Sequence, residues 1–226
     1  MVQIKIVGVS GSPTEGGNTD FAVKEALGAA SASHGAATTF VGLAKKDIRP
    51  CLGRSCYVCS DKANLNKICP AIDDDMEALY PLVSEADALI IGSPVYMLDV
   101  TSNLKAFMDR LHPLYDNPAS KNPLRGALRN KVGGAIAVAF WRNDGLESSL
   151  YSLHRFFLCH DMVVVGSGRE KFGISHLGGV VVLWPDEGSV TASKDELGLK
   201  TVRVLGRRVA EVTEMIKRGS SKKDAV

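Results

Sequence analysis

The sequence predicts an α/β domain built on a doubly wound, five-stranded parallel sheet with helices on both faces. Three observations carry this expectation. Short apolar runs alternate with longer amphipathic stretches, the order that builds βαβ units. The short runs are apolar at nearly every position, as strands covered on both faces must be. The loops after the first, third and fourth runs are rich in Gly, Ser, Pro and aromatic residues, and ligands of open α/β sheets bind beyond the carboxyl ends of strands.

Taken in order, Val2 to Val9 is the first strand, feeding Ser10-Gly11-Ser12. Thr19 to His34 is a helix with Phe21, Ala22, Ala26, Leu27 and Ala30 at helical spacing; Asn18 or Thr19 caps it and Gly35 ends it. Ala37 to Leu43 is the second strand. Residues 47–72 show no period and are long for a structureless connection, which marks them as functional. Asp73-Asp74-Asp75 supplies negative charge to the start of a helix reaching about Glu85, favourable for the helix dipole and a better reading than a cation site. Ala88 to Gly92 is the third strand. Thr101 to Leu114 is a helix with Leu104, Phe107, Met108 and Leu111 on one face. After a Pro- and Asn-rich excursion from Asn117 to Asn130 come a strand (Val132 to Phe140), a helix (Leu146 to Leu158) and a strand (Met162 to Val165). Residues 168–188 form a Gly-rich insertion around an apolar piece, Val180 to Trp184, and Asp195 to Arg218 is the closing helix. Residues 1–218 are thus expected as one domain with a cysteine-rich insertion, and 219–226 as a disordered tail.

With 226 residues, 45% hydrophobic and 23% charged, the chain can bury a core without disulfides or metals. A net charge of +2 on scattered Lys and Arg argues against nucleic acid as a partner. No run approaches a membrane span, and Met1-Val2-Gln3-Ile4-Lys5 reads as the approach to a strand, so a cytoplasmic protein is expected. Cytosolic thiols stay reduced, so the five cysteines are not read as disulfides.

Three loops carry the candidate chemistry. The first, Ser10 to Thr19, has neither Gly-x-Gly-x-x-Gly nor Gly-Lys-Ser/Thr, which excludes the usual dinucleotide and triphosphate loops. Its hydroxyls and glycines open onto a helix N-terminus and suit a single phosphate monoester, with Ser10, Ser12, Asn18 and Thr19 as donors beside Pro13; a plain capped βα turn is the structural alternative. The second loop brings Pro94, Val95, Tyr96 and Met97 to the sheet edge, where a flat heteroaromatic ring can pack. The third brings Phe140, Trp141, Arg142 and Gly145. Here Phe140 is equally readable as core, Gly145 would allow backbone to approach a ligand, and Arg142 would either stabilise a reduced anionic cofactor or be a surface charge.

Four cysteines crowd one loop as Cys51-x4-Cys56-x2-Cys59-x9-Cys69. Thiolates are soft donors for an iron–sulfur cluster or tetrahedral zinc, and free thiols are the third possibility. Cys159 reads as a small core residue on a helix face. His112, His154, His160 and His176 show no metal-ligand spacing, and Gly166-Ser167-Gly168 is a weak nucleotide signal.

Ser10-Gly-Ser-Pro…Gly17-Asn-Thr, Asp74-Asp-Met and Gly92-Ser-Pro-Val-Tyr…Asn103-Leu-Lys-Ala-Phe-Met-Asp-Arg110 together resemble the NADPH-dependent FMN reductase superfamily, and Gly145-Leu-Glu…Arg155-Phe-Phe…Met162-Val-Val-Val-Gly166 continues the likeness. Within it the chain most resembles the iron–sulfur flavoproteins, in which a cysteine loop precedes Asp-Asp-Met. The resemblance covers most of Val2 to Gly166 and the closing helix. It implies a flavodoxin-like fold with strand order 2-1-3-4-5 and FMN lying against Pro94, Val95 and Tyr96. It also implies an FMN phosphate on the first loop and homodimers or homotetramers with the flavin site at a subunit contact. The family's cysteine spacing is about Cys-x2-Cys-x2-Cys-x5-Cys; this chain has two extra residues in the first gap and four in the last. The added length costs little chain entropy.

The expected activity is that of an FMN-dependent oxidoreductase. A 4Fe–4S cluster on Cys51, Cys56, Cys59 and Cys69 would relay electrons from a ferredoxin or NAD(P)H donor to a small acceptor such as a quinone, oxygen or peroxide. The alternatives are a cluster-free NAD(P)H-dependent FMN or quinone reductase, a non-catalytic flavodoxin-type carrier, and a zinc-stabilised relative without flavin. No side chain stands out as an acid–base catalyst.

Overall fold

The structure, a computed structural model, describes residues 2–53, 67–168, 175–183 and 191–223. Its strands are β1 (Lys5–Ser10), β2 (Ala37–Gly42), β3 (Ala88–Pro94), β4 (Val132–Ala139), β5 (Val163–Val165) and β6 (Gly179–Val182). Its helices are α1 (Asn18–His34), α2 (Met76–Glu85), α3 (Ser102–Arg110), α4 (Leu146–Cys159) and α5 (Glu196–Lys223), with 3-10 turns at His112–Leu114 and Ala192–Lys194. The predicted third helix therefore breaks after Arg110, where Pro113 follows; a ring without an N–H does not continue an α-helix. The closing helix runs on through Lys223, past the predicted end at Arg218.

The sheet is parallel with order β2-β1-β3-β4-β5, as predicted. Its fifth position is made of two pieces. The first half of β4, Val132 to Gly134, pairs with β5, and the second half, Ile136 to Ala139, pairs with β6. Thus Val180–Val182, within the Gly-rich insertion, completes the edge that Val163–Val165 begins; Trp184 lies outside the described residues. Asp195 fixes this piece to α5: its carboxylate accepts from Val182 N–H at 2.8 Å and from Gly198 N–H at 2.9 Å.

Alternate side chains of the buried strands feed two cores. Val7, Val9, Leu89 and Ile91 join Tyr80, Phe107 and Phe157 on the face covered by α2, α3 and α4. Ile6, Ile90, Ile136 and Val138 join Val23, Leu27, Val202 and Leu205 on the face covered by α1 and α5. The latter two helices pack with almost no gap, because a Cβ at Gly206 would run into the Ala26 carbonyl oxygen. Among the described residues, no helix is long and apolar enough to cross a membrane.

Candidate flavin and cysteine sites

Register brings the three loops to one edge. Ser10 pairs with Gly92, and Pro94 pairs with Val138, so β1, β3 and β4 end side by side. In the first loop Ser10 is fully buried and Ser12 is 5% exposed. Their hydroxyls shape the loop itself. Ser10 Oγ accepts from Ser12 N–H at 3.4 Å, while Ser12 Oγ donates to Thr14 O and accepts from Thr14 N–H, both at 3.0 Å. Pro13 is exposed, Thr19 is buried with its methyl toward Gly92, and the Asn18 carboxamide oxygen accepts from Ala192 N–H at 2.8 Å. Gly17, the cap residue of α1, has no side chain with which to cap the first turn.

Sequence reasoning missed three organisers of this loop. Thr101 caps α3, donates through Oγ1 to Gly11 O at 2.6 Å and through its N–H to Ser93 Oγ at 3.2 Å, so Thr101 and Ser93 bolt the first loop to the second. Asp20 is buried and holds Gly16 N–H at 2.8 Å through Oδ2, with Oδ1 unpartnered among the described residues. A hydroxyl or acid one turn into a helix looks like ordinary capping until its partner is known.

The second loop ends in a tight reversal. Tyr96 and Asp99 exchange N–H···O bonds of 2.8 and 3.1 Å around Met97 and Leu98, both with positive φ (50° and 65°). Neither is Gly or Asn, so the turn holds strain of the kind found at functional sites. Pro94 and Val95 are half-buried, whereas Tyr96 and Leu98 are exposed and Met97 is 97% exposed. In the third loop Phe140 is 47% exposed and sits 6.4 Å from the Trp141 ring, so it is not core. Gly145 packs closely on the second loop: a Cβ there would lie 2.5 Å from Leu98 Cα. Ser148 Oγ donates to Leu98 O, and Ser152 Oγ donates to the Asp99 carboxylate at 2.6 Å. Arg142 lines a separate cavity of about 240 Å³ with Val180, Asp195, Leu197 and Thr201, which the first two loops do not line.

The cysteine loop is clamped at both ends. Going in, Asp47 N–H donates to Asp75 Oδ2 at 2.9 Å and Arg49 N–H to Asp74 Oδ2 at 3.0 Å. Coming out, Ile68 N–H donates to Glu77 at 2.8 Å, and Ile68 O accepts from Asn122 Nδ2 at 3.0 Å. Asp73 to Asp75 therefore hold the loop's base as well as lying ahead of a helix. Asp74 and Arg110 form a bidentate ion pair with both side chains out of solvent. Burial alone would raise the Asp74 pKa, but Arg110 and the N–H groups of Arg49 and Met76 hold it below the usual carboxylate value.

Cys51 and Cys69 line one small cavity with Ile68, Arg110 and His112. Cys56 and Cys59 lie outside the described residues, and among the described residues no three His, Cys, Asp or Glu side chains gather as a metal site. Beside this cavity runs a cleft of about 470 Å³ between α3 and α4. It shares Asp109 and His112 with the cysteine cavity and reaches Asp99 and Val100 of the second loop. Cys159 is exposed and lines this cleft, contrary to its expected place in the core: α4 turns it outward while Phe156 and Phe157 face in. His112 and His160, far apart in sequence, meet here through Tyr115, at ring separations of 5.9 and 6.2 Å.

A family model described as NADPH-dependent FMN reductase matches residues 4–174. The chain belongs to the NADPH-dependent FMN reductase family. That membership makes FMN the cofactor and oxidoreduction or electron transfer the class of activity. Several relatives match nearly the full length, two of them as follows. An iron–sulfur flavoprotein of Methanocaldococcus jannaschii is 42% identical over 215 residues, covering 95% of this chain and all of that one. An iron–sulfur flavoprotein of Methanosarcina thermophila is 34% identical over 219 residues, covering 97% of this chain and all of that one. Among solved structures, RosB with bound 8-demethyl-8-formylriboflavin 5′-phosphate superposes with a TM-score of 0.71 over 95% of this chain and 81% of that one, at 16% identity.

Proposed function

We propose that this FMN reductase family member is an electron-transfer oxidoreductase whose cysteine loop holds a 4Fe–4S cluster. It would take electrons from a ferredoxin or NAD(P)H donor and pass them to a small acceptor such as a quinone, oxygen or peroxide. The observation that carries the reading is the meeting of Cys51 and Cys69 on a cavity whose wall residues Asp109 and His112 also border the cleft to the second loop. The donor types suit a cluster: Cys51 and Cys69 line one cavity, the sequence of the same loop adds Cys56 and Cys59, and a buried Arg110 Nε–H has no partner among the described residues. The names of the two relatives given above support the same reading.

When bound, FMN supplies one- and two-electron chemistry and the cluster supplies single electrons. The residues supply the setting. In our reading the N-terminus of α1 receives the FMN phosphate within the loop shaped by Ser10, Ser12, Pro13, Asn18 and Thr19. Pro94, Val95, Tyr96 and Met97 present a packing surface for the ring, and Phe140, Trp141 and Gly145 form its neighbouring wall. Arg142 would reach the ring only from the side of its own cavity. The exposed Tyr96, Met97, Leu98, Phe140 and Trp141 form an apolar crown suited to burial against a second copy, in a homodimer or homotetramer.

Anaerobic purification followed by flavin, iron, sulfide and zinc analysis tests the proposal. One FMN, four irons and four sulfides per chain are expected, with faster flavin reduction by reduced ferredoxin than by NADPH. Bound zinc without sulfide, or reduction by NADPH alone in a protein free of iron, would overturn the cluster reading and leave the family's flavin chemistry.

A further inference from the structure

The cleft between α3 and α4 has the make-up of a small-molecule site in its own right. Its volume of about 470 Å³ lies in the range of known ligand pockets. Its lining is largely aromatic. His112, Tyr115, His160 and Phe156 form a continuous series of ring contacts, with centroids 5.9, 6.2 and 4.8 Å apart. A flat ring system packs well on such a surface, edge-on or offset-stacked. His160 is 7% exposed, and its Nδ1 has no partner among the described residues. Buried polar groups that serve packing alone are rarely left so.

The charged side chains of the cleft differ in what they have left to offer. Asp109 and Lys105 pair with each other along α3. Asp99 Oδ1 accepts from Ser152 Oγ at 2.6 Å and from Val100 N–H at 2.7 Å. Arg155, on α4, donates one hydrogen bond, from Nη2 to Ser152 Oγ at 3.1 Å, and has no ion pair among the described residues. Most of its N–H donors are thus available to a carboxylate, which a guanidinium grips through two parallel bonds. Burial, helped by the charge of His112, pushes the His160 pKa down to about 4. At neutral pH that ring therefore adds surface to the cleft rather than charge, and recognition of an anion falls to Arg155.

We propose that this cleft is a binding site, separate from the flavin site, for a planar aromatic carboxylate: the ring lies against Tyr115, Phe156 and His160, and Arg155 holds the carboxylate. The site takes no residue from the cysteine loop and stands whether or not that loop holds a cluster. Arg155, Ser152 and Asp99 form one chain of hydrogen bonds that ends on the turn carrying Met97 and Leu98. The site therefore borders the flavin edge without using the residues that present a packing surface to the ring.

The test uses the full chain with FMN bound and two probes of the same shape, 2-naphthoate and the neutral 2-naphthamide. Cys159, exposed and lining the cleft, reports its occupancy. Alkylation by iodoacetamide, read on the Cys159 peptide by mass spectrometry, should be slowed saturably by 2-naphthoate. The acid should act at concentrations at least about tenfold lower than the amide, the worth of a charge-assisted hydrogen bond. The visible spectrum of the bound FMN should not change. Arg155→Gln should bring the two probes to equal affinity, with FMN still bound and Cys159 still reactive. Equal protection by acid and amide in the wild-type protein would overturn the proposal, and that comparison needs no variant to fold. A shifted flavin spectrum without protection of Cys159 would put the acid on the flavin and overturn it too. So would a Cys159 that is unreactive before any probe is added, which would show the cleft closed by another copy of the chain.

Discussion

Gly145 and Leu98 touch backbone to backbone, so the cap of α4 is seated directly on the strained turn of the second loop. With φ at 86°, Gly145 has both the conformation and the bare Cα that this contact demands. The second and third loops are therefore joined through their backbones and again by Ser148 and Ser152.

Gly145→Ala should separate them. The added methyl meets backbone atoms of Leu98 and sits on a left-handed φ, and such a change typically costs about 1–3 kcal/mol. Thermal melting of the apoprotein should show lower stability, and fluorescence titration should show weaker FMN binding. Unchanged FMN affinity would mean that this contact does not organise the site.

Thr101 offers a test at a residue not assigned to flavin contact. Thr101→Val keeps the shape but leaves the buried Gly11 carbonyl without its donor, a loss of about 1–3 kcal/mol. FMN should dissociate faster from this variant, with the sheet intact by circular dichroism.

Acid should weaken the protein through His160. Burial, helped by the nearby charge of His112, pushes its pKa down to about 4. The unfolded chain, with an ordinary value near 6.5, then takes up the proton first. The neutral ring's contribution is present in full above pH 6.5 and is lost as the pH falls toward 4, in total about 3 kcal/mol. Urea unfolding of wild type and His160→Phe across this range should show a shallower pH slope in the variant.

Much of the scaffold was legible in the sequence because buried parallel strands and amphipathic helices announce themselves by period. Asn18–His34 and Leu146–Cys159 fall within a residue of expectation at either end. The three loops were legible for the same reason, since knowing where strands end fixes which residues share an edge. What escaped was whatever depends on partners distant in sequence. Asp73 to Asp75 look like helix-start acids, and nothing local reveals that Asp74 reaches Arg49 and Arg110, 25 and 36 residues away. His112 and His160 show no common spacing because α3 and α4, not sequence proximity, bring them together. The strand at Gly179–Val182 is too short to stand out from its glycines, and it exists because β4 has an open edge beyond Gly134.

The turn at Met97 and Leu98 bears on how such a site evolves. Selection for fold stability alone would write Asn-Gly there, since those residues adopt left-handed backbone at little cost. This chain instead places two large apolar side chains on the turn and leaves Met97 almost wholly outside the fold. Met97→Gly should therefore raise the melting temperature of the isolated apoprotein while lowering FMN affinity or subunit association. A variant that gained stability and lost neither would show the turn to be a historical remnant; the expected trade would mark it as a position where stability has been surrendered to keep a surface for binding.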